Sequence, residues 1–216
     1  MKKLSIITAM IVSFTSIGIA QDSKETDNRE KFQVGLKAGL NYSNVYDAQG
    51  EQFTSKAKFG GAIGAFMDIP FCKYIGIQPG ALISQKGFEA TGMVLGGKYD
   101  FTRTTTYIDV PLLFELKPIE FFSLLAGPQF SYLINQRDVF SNATTSSAQE
   151  QEFKNDNIRK NIFGITGGFD INWRHITMGA RVNWDVQDNN SNGTSTTPRY
   201  KNVWFQGTFG YKLYKK

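Results

Sequence analysis

One histidine and one cysteine in 216 residues leave little from which to build a nucleophilic or metal-dependent site. His175 follows Trp173-Arg174 in a tight turn, and Cys72 falls in another tight turn. A Ser–His or Cys–His hydrolase needs its imidazole beside a nucleophile and an orienting partner, and a metal centre needs three or four clustered ligands. Neither pattern is present in the sequence. A single cysteine also forbids an intramolecular disulfide. Asp109 and Glu115 are the remaining acid–base candidates, but six residues of strand separate their carboxylates by about 20 Å. The sequence therefore predicts no enzyme, no metal and no cofactor.

The charges that do follow a rule are Lys37, Lys58, Asp68, Asp109, Glu115, Asp170, Arg181 and Lys212. Each lies in a segment where every second residue is apolar, and each falls on the other face. From residue 32 onward there are eight such segments. In the first, Phe32, Val34, Leu36, Ala38, Leu40 and Tyr42 point one way, and Gln33, Gly35, Lys37, Gly39, Asn41 and Ser43 point the other. A period of two is a strand period. The joins at 70–74, 117–121 and 173–175 are tight, whereas those at 44–57, 87–99, 137–158 and 187–200 are long and polar. Tight turns at one end and long loops at the other describe an all-β, eight-stranded antiparallel up-and-down transmembrane β-barrel.

Charge decides which face meets lipid. No Lys, Arg, Asp or Glu falls on the apolar face of any segment. A basic residue facing lipid at the bilayer midplane costs about 2–4 kcal/mol, so several would approach the whole stability of a domain. The eight charges are therefore expected in the lumen, paired into a network that fills it. Lys37, Asp109 and Arg181 are expected near mid-depth, and Asp68, Glu115, Asp170 and Lys212 toward the tight-turn end. Glycines share the lumen face, among them Gly39, Gly64, Gly127 and Gly168, as the narrow interior of an eight-stranded barrel requires. Tyr42, Phe59, Phe71, Tyr74, Tyr107, Phe121, Trp173, Trp184, Trp204 and Tyr214 gather toward strand ends, where they are expected to form the interfacial girdles. Pro79, Pro111 and Pro128 interrupt strands, and each is expected to mark a bulge or kink.

The N-terminus reads as an export signal. Lys2 and Lys3 precede the apolar stretch Leu4 to Ile17, and Gly18-Ile19-Ala20 offers a cleavage site before Gln21. Residues 21–31 form a polar periplasmic tail, and 32–214 the barrel. Removing residues 1–20 takes two lysines and no acid, lowering the net charge from +5 to +3. That value is too mild, and the basic residues too scattered, for nucleic acid. A mean hydropathy of −0.30 does not argue against a membrane, because alternation hides the lipid-facing half from an average.

Gly35-Leu36-Lys37-Ala38-Gly39-Leu40-Asn41, Tyr107-Ile108-Asp109-Val110-Pro111-Leu112-Leu113 and Leu125-Ala126-Gly127-Pro128-Gln129 together resemble strands of the PorT-like family of outer-membrane β-barrels. Two of the three strand prolines fit that pattern, and the likeness covers 32–214. It implies an eight-stranded outer-membrane barrel and, through one family member, a part in protein secretion. It carries no catalytic motif. The expectation is a monomer in bacterial outer-membrane lipid with a structural or interaction role, accessory to secretion or envelope assembly, and a protein partner at the long loops or periplasmic turns. A narrow channel is the alternative, and a soluble lipocalin-like carrier a further one.

Overall fold

Alternating sequence becomes paired strand along almost the whole chain. The structure is a computed structural model and describes residues 28–49, 54–94, 97–142, 146–150, 158–190 and 199–213. Its strands are β1 (Gln33–Gln49), β2 (Thr54–Pro70), β3 (Ile75–Val94), β4 (Gly97–Ile119), β5 (Phe122–Asn142), β6 (Ser146–Glu150), β7 (Asn161–Trp173), β8 (Ile176–Asp185) and β9 (Arg199–Leu213). Eight of them pair antiparallel around a ring that closes where β9 meets β1. The ninth, β6, adds to the far end of β5, above the level where β7 begins. The predicted leader, residues 21–27 of the tail and Tyr214 lie outside the described residues.

Hydrophobic side chains line the outside of the ring. Leu36, Leu40, Ile63, Ile83, Leu112, Phe114, Phe130, Ile165, Met178 and Phe209 are all exposed, while the alternate positions are buried. In water such a surface would be a gross liability; in acyl chains it is the required one. The stretch from Phe32 to Tyr42 spans about 25 Å along the bilayer normal at a tilt of about 40°, which matches a lipid-facing band.

The long joins are shorter than the sequence suggests. β3 and β4 run on past 87–99 and pair from Gly87↔Thr104 to Val94↔Gly97, so that hairpin stands beyond the band as sheet. β1 and β2 likewise extend into 44–57, and β5 into 137–142. Above the bilayer both faces of a strand are free to be polar, so polarity there does not distinguish strand from loop. At the prolines the ladder shows no bulge. Pairing lapses between Pro79↔Leu112 and Leu82↔Asp109, and between Pro111↔Gln129 and Phe114↔Ala126, but the register on either side is unchanged. Pro128 is paired in an unbroken ladder with β7. Proline removes one donor and leaves the strand its other neighbour, so it need not displace a residue. Register shifts lie elsewhere: between Ala57 and Ala62, between Tyr46 and Gln49, between Leu116 and Ile119, and at Ile134, which has no partner between Leu133↔Tyr107 and Asn135↔Thr106.

Two of the predicted girdle aromatics also turn inward. Tyr107 and Trp204 are 3% and 1% exposed, whereas Trp173 and Trp184 are 70% and 41% exposed. In vesicles of brominated phospholipid, Trp173 and Trp184 should be strongly quenched and Trp204 should not. Single-tryptophan variants measure each, and quenching of Trp204 equal to that of Trp184 would contradict the assignment of faces.

Candidate functional site

The lumen is narrow because its wall is partly made of glycine. A β-carbon at Gly168 would collide with the carbonyl of Ala180 and stand 2.8 Å from Arg181 Cα, and one at Gly39 would collide with the carbonyl of Gly207. Neighbouring strands have closed into the space that a side chain would occupy. What remains is filled by long polar side chains from the other strands.

At the tight-turn end these form a continuous chain across the lumen. Lys212 Nζ lies 2.7 Å from Asp68. Gln78 Nε2 donates to Asp68 at 2.9 Å and to Asp170 at 3.2 Å. Arg181 Nη2 donates to Gln78 Oε1 at 3.0 Å and to Asp170 at 2.9 Å, while Nη1 reaches Thr208. Five strands are thus tied by one network: β9, β2, β3, β7 and β8. Glu115 pairs with Lys117 at 3.1 Å beside it. Lys37 is buried near this network, but it makes no ion pair among the described residues; its ammonium sits 4.8 Å from the Phe66 ring centroid. A cation–π contact replaces the expected carboxylate.

Above the network lies a neutral layer. Asn41 donates to Ser84 and accepts from Gln206, and Thr166 bonds Gln129 and Asn183. Higher still, Lys86 donates to Asp109 at 2.9 Å and Ser131 at 3.2 Å. Its ammonium lies 3.7 Å from the Trp204 ring centroid and 4.5 Å from that of Tyr107. At the outermost level Arg103 grips Asp138 with two bonds of 2.8 Å and donates to the Tyr200 hydroxyl at 3.1 Å. Val45, Phe88, Ala90 and Tyr200, with Phe101 against them, pack beside it.

Of the eight charges that the sequence singles out, Lys37, Asp68, Asp109, Glu115, Asp170, Arg181 and Lys212 are buried inside. Lys58 is the exception. It stands at the register shift between Ala57 and Ala62, which takes it out of strict alternation, and its ammonium donates to the hydroxyl of Thr104. Thr104 faces outward opposite exposed Arg137. Depth is also corrected: Arg181 belongs to the lower network, and Asp109 to the Lys86 layer above it. Sequence reasoning missed Lys86, Arg103, Lys117 and Asp138. Lys86 and Arg103 keep the parity of Ser84 and Tyr107, so extending the period of two would have found both. Asp138 was hidden by the unpaired Ile134, which shifts the phase of β5.

The tight-turn mouth is crossed by the 3₁₀ turn Asn28–Glu30. It precedes β1 yet contacts the β4–β5 turn on the opposite side of the ring. Asn28 donates to Glu120 at 2.9 Å, Arg29 reaches the carbonyls of Lys117 and Pro118, and its guanidinium lies 5.3 Å from the Tyr74 ring centroid. Beneath this strap is a cavity of roughly 290 Å³ lined partly by Glu115, Lys117, Trp173, Arg174 and Lys212. His175 Nδ1 lies 2.9 Å from the carbonyl oxygen of Lys212, with its ring stacked on Tyr211.

The family model described as outer membrane protein beta-barrel domain matches residues 19–190. Among solved structures, Neisserial surface protein A aligns with a TM-score of 0.50 at 11% identity, over 85% of this chain and 100% of that one. Ail, the attachment invasion locus protein of Yersinia pestis, aligns at 0.47 with 13% identity, over 85% and 99%. OprG from Pseudomonas aeruginosa aligns at 0.45 with 15% identity, over 86% and 98%. At such identities the likeness concerns the fold. No curated protein sequence matches the chain.

Proposed function

The chain belongs to the family of outer membrane protein β-barrel domains, and from that premise we propose that it is a closed, non-enzymatic barrel acting through protein contacts at its ends. Its setting is the bacterial outer membrane, with the tight turns and both strand termini on the periplasmic side. The soluble-carrier alternative needs an apolar interior and is set aside by the outward apolar face and the family. The PorT-like likeness stays a finer reading, under which the barrel is an accessory to secretion or envelope assembly.

One observation carries the non-conducting reading: Arg103–Asp138, Lys86–Asp109 and the Asp68–Gln78–Asp170–Arg181 chain occupy successive depths of the same lumen. An ion path would have to break buried, charge-assisted hydrogen bonds at each depth. With the lumen filled at each of these depths, the surface outside the band is where contacts with other molecules can be made. The β3–β4 hairpin, extended as sheet, offers that surface at the outer end, and the turns at Phe71–Tyr74 and Glu120–Phe121 at the inner one.

Planar-bilayer recording tests the reading. The purified barrel should insert without stable current steps, and steady open currents from the unmodified chain would overturn it in favour of a channel. A photo-crosslinker at Lys73 or Asp100 should then capture a discrete envelope protein from intact cells.

A further inference from the structure

The geometry points to a binding site for a small organic anion, bearing carboxylate or phosphate, in the chamber beneath the Asn28–Glu30 strap. The inference does not depend on whether the lumen conducts. Four cations line this chamber, Arg29, Lys117, Arg174 and Lys212, against two acids, Glu115 and Glu120. Most of these charges are already engaged. Lys117 serves Glu115, Lys212 serves Asp68, Glu120 accepts from Asn28, and Arg29 lies against Tyr74 and two carbonyls. Arg174 is different: it makes no ion pair among the described residues and yet lines the cavity.

Its backbone supports the same conclusion. Arg174 has a φ of 53°, the left-handed region that suits glycine or asparagine. A two-residue turn between β7 and β8 would be more relaxed with either. Arg174 is exposed and borders the cavity, and the planar fork of a guanidinium so placed can turn onto the carboxylate or phosphate oxygens of a bound anion in pairs. The surplus of positive charge, in a recess walled by the low-dielectric band, raises the local concentration of anions. Trp173, on the outward parity of β7, borders the mouth of the recess where it meets the lipid interface. The volume, at the lower limit for small-molecule sites, suits a ligand of about a dozen non-hydrogen atoms. The anion can come from two sources, a free periplasmic solute or the phosphate of an inner-leaflet lipid headgroup.

Calorimetric titration of the full chain in neutral detergent tests this, with citrate, inorganic phosphate and monomeric short-chain phosphatidylglycerol as separate probes. Saturable binding of citrate or phosphate is expected. Arg174→Asn, which fits the left-handed backbone, should weaken it roughly tenfold or more, Arg174→Lys less, and Lys56→Gln at the far end not at all. Binding confined to phosphatidylglycerol, and weakened by Arg174→Asn, would support the same site with the headgroup as its source. No saturable binding of any probe, or equal binding by wild type and Arg174→Asn, would overturn the inference.

Discussion

Replacing Arg181 with alanine should cost about 3–5 kcal/mol, the loss expected when one partner of a buried ion pair is removed. The side chain holds Asp170 and Gln78 together, and Gln78 in turn bonds Asp68. Without it, Asp170 keeps only the amide of Gln78 at 3.2 Å, inside a lumen where no bulk water can replace the lost donors. Removing the pair as a whole, with Arg181→Met and Asp170→Asn together, should be milder, because no uncompensated charge is left behind. Urea unfolding in lipid vesicles, followed by the shift in gel mobility, measures both variants. A single substitution within about 1 kcal/mol of wild type would mean that the network contributes little to stability.

Adjacent glycines should respond to alanine in opposite ways. At Gly167 an added β-carbon has nothing within 4 Å, while at Gly168 it meets the backbone of β8. Gly168→Ala must push two paired strands apart, and a backbone cannot rotate away as a side chain can. Its expected cost is about 3 kcal/mol or more, enough to lower the yield of folded barrel severalfold. Gly167→Ala should stay within about 0.5 kcal/mol, since it only adds a methyl group to the lipid face. The same unfolding assay reads both. Equal losses would imply that the strand faces are assigned wrongly.

Faces were legible in the sequence wherever both solvents of the wall acted on a strand. Between Phe32 and Tyr42, lipid on one side and a packed lumen on the other select opposite residue types, so period two is strict. Beyond the band that selection fades. Lys86, Arg103 and Asp138 sit in stretches where outward neighbours such as Gln85, Thr104 and Arg137 are polar too, so alternation carries no contrast. Register is still harder to read. Nothing in the composition around Ile134 announces that it lies unpaired, and the prolines, which do look like breaks, leave the ladder in phase. The partners of buried charges are not local at all. Lys212 and Asp68 stand on strands at opposite ends of the chain, brought together only by closure through β1. The PorT-like likeness rests on the strands Gly35–Asn41, Tyr107–Leu113 and Leu125–Gln129. These are the stretches where the wall constrains sequence most, and they say least about the ends.

That closure has a consequence for how the protein is made. Lys212 on β9 neutralises Asp68 on β2, across the seam and early in the strand order. Until the final strand docks, a nascent sheet holds a carboxylate that lacks its counter-ion and a seam that lacks its neighbour. In an unclosed sheet that carboxylate has to be neutralised by a proton or solvated by water instead of by an ammonium. A truncation that removes β9 leaves both the seam edge of β1 and the Asp68 carboxylate without their partners, and should give no folded, heat-modifiable band on a gel.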